Sequence, residues 1–129
     1  MNYHLARSIK DAIKQAAASR GGVEFAALVL RENSPNRWDI VLAAPWLSRD
    51  ERGTLDLFYK QLRRALKMPE FIQISHIVLL DRVDPLREPL PAYVPIGDDL
   101  ARATGPGQFL GVEARDAYFL IANGALQRS

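Results

Sequence analysis

The sequence predicts an α+β fold, a two-layer sandwich of order α-β-β-α-β-(long Pro-rich loop)-β-β, with both main helices packed on one face of a mixed or antiparallel sheet. Three observations carry this expectation. Two segments, residues 3–19 and 48–67, repeat apolar residues at helical spacing. Short runs rich in Val, Ile, Leu and Phe, bounded by turn residues, mark strands. The strands come in sequential pairs, which favours helices layered over one sheet. Residues 1–129 read as a single domain, because no repeat, low-complexity tract or linker divides them and domains commonly hold about 100–150 residues.

Leu5, Ile9, Ala12, Ile13 and Ala16 form the apolar stripe of the first helix, which the Gly21-Gly22 pair ends. Residues 23–31 and 38–44 then read as two strands joined by turn chemistry, Asn33-Ser34-Pro35-Asn36. In the second of them Trp38, Ile40 and Leu42 point one way and Asp39 and Val41 the other. Pro45 stops that strand. Ser48 and Glu51 stand at capping-box spacing and predict the start of the second helix. Its buried stripe is Leu55, Phe58, Leu62, Ala65 and Leu66.

Ile77, Val78, Leu79 and Leu80 are four apolar residues in a row within a strand over 71–81, so this strand is expected at the centre of the sheet, covered on both faces. Residues 82–107 carry five prolines and three glycines. They read as a long connection with one helical turn at 98–103. Two short strands, 108–113 and 117–122, close the chain around a turn at Arg115-Asp116. This order of elements resembles that of roadblock and longin-type sandwich modules. The resemblance implies a dimerisation or docking platform, and it rests on the order alone, with no residue motif behind it.

Composition excludes several classes of chemistry. The chain has no cysteine, which removes disulfides, thiol nucleophiles and Cys-based metal sites. It has two histidines, so a zinc site would need carboxylates in place of the preferred N and S ligands. No metal and no cofactor is expected. There is no Gly-X-Ser-X-Gly elbow, and Thr104-Gly105-Pro106-Gly107 lacks the Lys-Ser/Thr of a phosphate loop. No catalytic residue is therefore assigned. No apolar run approaches the roughly 18 residues of a membrane span. Charged residues interrupt the start of the chain where a signal peptide would be apolar. These features fit a cytoplasmic protein without a membrane partner.

The net charge is only +2, but it is unevenly placed. Lys60, Arg63, Arg64 and Lys67 crowd the end of the second helix without an acid between them. Lys60, Arg64 and Lys67 form one basic face, which suits the negative end of the helix dipole and is the sole argument for nucleic acid. Asp81 and Asp84, just past the apolar strand, together with Arg87 are the candidates for a ligand or acid/base site. Trp46, at the junction of strand and helix, and Tyr93 and Phe109, at the long loop and its exit, are candidate interface anchors. The favoured expectation is a non-enzymatic protein–protein interaction module, with a homodimer as the first partner. The alternatives are a small enzyme or ligand-binding domain at Asp81/Asp84, and a nucleic-acid binder through the basic helix faces.

Overall fold

Asn2 accepts a hydrogen bond from the Leu5 amide at 2.8 Å and starts α1 (Tyr3–Ala17) in the computed structural model, which describes residues 1–33, 36–83, 91–97 and 99–122. Gly21, at φ 99°, reverses the chain behind it, as the two glycines predict. Then β1 (Phe25–Arg31) and β2 (Trp38–Ala43) form an antiparallel hairpin, with Phe25 opposite Ala43 and Val29 opposite Asp39. Alternation along β2 works as expected: Trp38, Ile40 and Leu42 face the helices, while Val41 and Ala43 enter a second core on the other side.

The start of α2 (Glu51–Ala65) differs from the capping-box expectation. Residues Leu47–Asp50 form a 3-10 turn, and Asp50 caps the helix by accepting from the Gly53 amide at 3.2 Å. A Cβ at Gly53 would collide with the Asp50 carboxylate, which explains a glycine in the first turn. Ser48 is thereby freed, and its hydroxyl donates to Asp81 Oδ1 at 2.6 Å. Phe58, Leu62 and Leu66 are buried as predicted, together with Thr54. Ala65 is exposed instead, because the helix ends there and Leu66, in extended backbone, takes the last core position.

After the short α3 (Met68–Phe71) comes β3 (Ile74–Leu80), and here the expectation of a central strand fails. The sheet runs β3-β2-β1-β7-β5-β4, so β3 is a rim. It pairs in parallel with β2, Ile77 opposite Ile40 and Leu80 opposite Ala43. Ile77 and Leu79 pack under the helices and Leu80 against the second core, but Val78 is 38% exposed. Two-sided burial was inferred from the run of four; lateral position is a separate property, and the crossover through α2 sets it.

The described part of the Pro-rich stretch holds strands where a loop is expected. Its described part forms β4 (Tyr93–Gly97) and β5 (Leu100–Ala103), an antiparallel hairpin turning through Gly97 at φ 110° and Asp99 at φ 59°. Residues 100–103 are therefore strand and no helical turn, because Leu100 and Ala101 are each buried on opposite faces. The last hairpin, β6 (Gly107–Phe109) and β7 (Val112–Ala122), turns at Leu110-Gly111, both at positive φ. The turn expected at Arg115-Asp116 is instead a bulge inside β7, where the register against β1 shifts between Leu30 and Arg31.

The bulge bends β7 and lets the β6–β7 hairpin fold back across the face away from the helices. Phe109 pairs with Val112 at the near end of β7, yet its ring lies 5.4 Å from Phe119 and 6.1 Å from Phe25, centre to centre. The α+β two-layer reading holds, with this curled hairpin closing a smaller second core. Phe109→Ala empties the middle of that core and is expected to cost about 3–5 kcal/mol, measured as the loss of unfolding free energy in urea.

Candidate interaction surface

The two rims of the sheet differ in chemistry. Along β4 stands Pro95, which has no N–H to offer a neighbouring strand. Along β3 the sequence ISHIVLL holds no Pro, Gly, Lys or Arg, and so lacks the residues that usually blunt an edge. Met68 and Ile72, on the segment leading into β3, are 65% and 59% exposed. Together with Val78 they make three of the five exposed large apolar side chains among the described residues, all next to one rim. The other two, Tyr93 and Val94, belong to β4.

A bulge shapes the first half of β3. Trp38 pairs with Ile74 and Ile40 with Ile77, so Ser75 and His76 together oppose Asp39. Both then reach the same place: Ser75 Oγ lies 2.9 Å from His76 Nδ1, and Asp39 Oδ1 lies 3.5 Å from that same nitrogen. A hydrolytic triad needs serine and carboxylate on opposite ring nitrogens, so this convergence is no nucleophile relay. Asp39 is 8% exposed and is held by Arg31 Nε at 3.0 Å. Beyond the bulge, Ile77 to Leu80 continue in regular register.

Above this rim lies the flank of α2 that faces away from α1. The Gln61 amide donates to the Gln15 side chain of α1 at 2.9 Å, while Phe58 and Leu62 point down into the core. At about 3.6 residues per turn, the side opposite Gln61 then carries Arg52, Asp56, Tyr59 and Arg63. Arg63 rests over the Phe71 ring at 5.8 Å, and Tyr59 is half-buried. Lys60 and Arg64 lie exposed on the top of α2, but Lys67 falls past the end of that helix as the N-cap of α3, so the expected face of three is not formed. Lys10 and Lys14 of α1 line a groove toward β5 instead, so the two basic clusters do not merge into one stripe.

The predicted anchors are scattered. Trp46 staples the helical layer: its indole N–H donates to the Gly22 carbonyl at 2.7 Å, and its ring stacks on Phe58 with Arg20 above it at 6.0 Å. Tyr93 stands on the β4 rim, edge-on to Phe119 at 5.8 Å. Phe109 is 1% exposed; its expected place on the surface is corrected by the fold-back of β6, which puts the ring in the second core. Asp81 is exposed and accepts from Ser48. Asp84 and Arg87 lie outside the described residues. Sequence reasoning missed the β3 rim and the α2 flank, because both depend on which strand is outermost.

Two cavities lie away from this surface. The groove lined by Lys10, Lys14, Asp99, Leu100 and Leu120 has a volume of about 820 Å³, but Leu100 and Leu120 are 1% exposed and offer a ligand little apolar area. A smaller cavity of about 380 Å³ ends at Trp38, Gln73, Arg102 and Asp116. There the Arg102 guanidinium grips Asp116 through Nε at 3.2 Å and Nη2 at 2.7 Å and covers the Tyr118 ring. Donating these hydrogen bonds to the Asp116 carboxylate holds the Arg102 pKa above its ordinary value. Burial pushes the Tyr118 phenol up, against the opposing pull of Arg102. No group of three or more metal-ligating side chains occurs among the described residues, and no described helix is long and apolar enough to cross a membrane.

A raised phenol pKa means that the native state holds this proton more tightly than the unfolded chain does. The resulting stability is complete below about pH 10 and is lost as pH climbs through the raised native value. Urea unfolding followed above about pH 10 is expected to show a steeper loss of stability for the parent chain than for Tyr118→Phe. Comparison with family models, with curated proteins and with solved structures gives no match.

Proposed function

We propose that this chain is a non-enzymatic protein-interaction module that receives an extended segment of another polypeptide along β3. The observation that carries the reading is the outer half of the rim: Ile77 to Leu80 in regular register at the end of the sheet, with no proline or cation in the strand and exposed Met68, Ile72 and Val78 beside it, while Arg37 Nη2 donates to the Ile74 carbonyl at its start. Strand addition draws its affinity from main-chain hydrogen bonds and its selectivity from alternate side chains. An added strand would meet Leu79 and the α2 flank on one side and Val78 and Leu80 on the other. Val78 presents a branched apolar side chain where a soluble rim normally carries a charge. No convergent acid, base and nucleophile set among the described residues competes with this reading.

Peptides selected from a random phage-displayed library against the chain test it. Expected are peptides of alternating apolar pattern that shift the amide resonances of Ser75 to Leu80. Val78→Asp is expected to weaken them by at least about tenfold, since it places a charge in a desolvated contact, while leaving thermal unfolding unchanged. Selected peptides that map to the β4 rim or to the α1 groove overturn the proposal.

A further inference from the structure

We infer that the segment received along β3 is the β3 strand of a second copy of this chain, giving a twofold dimer in which Asp56 of each protomer pairs with Arg63 of its partner. The inference rests on the docking reading above and names the occupant of that rim.

The occupant follows from symmetry and charge. A twofold axis perpendicular to the sheet joins two β3 strands antiparallel and keeps both helical layers on the same side. The α2 helices then run antiparallel along the seam. Strands pair at about 4.8 Å, which brings helices seated above the outermost strands into the roughly 8–10 Å range of helix packing. The flank that meets across the seam reads Arg52, Asp56, Tyr59, Arg63 at one-turn intervals, with one acid between two bases. Inverted on itself about Tyr59, this row sets each acid against a base. A parallel arrangement would set like against like.

The larger charge pattern agrees. The start of α2 holds Asp50, Glu51 and Asp56, with Asp81 beside it through Ser48. Its end holds Lys60, Arg63 and Arg64, and Lys67 follows it as the N-cap of α3. Arg49 and Arg52 dilute the first group and Glu70 the second. Antiparallel pairing nevertheless brings a balanced end to a strongly basic one and keeps the two basic ends apart. Arg63 is already ordered over Phe71, so its charge is held at the flank. The apolar area comes from Val78 and from half-buried Leu55, Tyr59 and Leu79. An isologous contact of this kind needs one self-complementary patch and no second protein.

Sedimentation of the full chain over a range of concentrations, with a charge-swap cycle, tests the inference. The parent chain is expected to dimerise. Asp56→Arg and Arg63→Asp are each expected to raise the dimer dissociation constant by at least about tenfold, and the double variant to restore most of the loss, because it rebuilds the pair in reverse. Lys60→Glu, on the top of α2, is expected to leave the constant unchanged. Asp56→Asn and Arg63→Gln repeat the single losses should a charge reversal fail to fold. A parent chain that stays monomeric at every concentration overturns the inference, and so does a swap that fails to rescue. If the chain is monomeric while library peptides still map to Ser75–Leu80, the docking reading survives and only the identity of the occupant falls.

Discussion

Parallel neighbours in a sheet cannot be joined by a tight turn; the chain must cross over one face to begin the second strand at the same end as the first. The pairing of β3 with β2 imposes that constraint here, and most of the architecture follows from it. The crossover is α2, so α2 must lie over the outermost strands and run against them. Its start comes to the end of β3, where Ser48 and Asp81 tie the two together, and its basic end comes to the start of β3. Phe58, Leu62 and Leu66 then fill the space above Ile77 and Leu79. The rim, the flank above it and the direction of charge along that flank are one consequence of one pairing.

The opposite face is solved by different means. Ala27, Ala43, Ala101, Ala114 and Ala117 make it a shallow surface of small side chains. Among the described residues no helix covers it. The bulge in β7 bends the strand so that its own hairpin supplies the cover, and Phe25, Phe109 and Phe119 meet above the alanines. Val83, just past β3, packs against the same cluster. A domain of this length reaches two-sided burial with helices on one side only because a strand doubles back on the other.

How much of this was legible in the sequence follows from the range of each interaction. The stripe of α1, the alternation of β2 and the break at Gly21 are local, and periodicity reveals them. Leu100 and Ala101 were hidden, because their burial depends on pairing with β7 rather than on neighbours in sequence. Ile77 to Leu80 show why composition misleads: four apolar residues announce two covered faces and say nothing about the side of the strand. Ser48 was read as a cap because its spacing to Glu51 fits one, but Asp50 beside Gly53 provides the same service from a nearer position. For the surface, the charges of α2 were visible in the sequence, whereas the side of the helix on which Asp56 and Arg63 fall relative to the rim required the packing of Gln61 against Gln15.

Pro95 gives this sheet a closed end, and β3 gives it an open one. A sheet with two open ends can add chains without limit and grow into a ribbon. A sheet with one can join a single neighbour, after which no hydrogen-bonding margin of the same kind remains. An assembly that lengthened this sheet along β3 would therefore be finite, since Pro95 withholds an N–H from any strand arriving along β4.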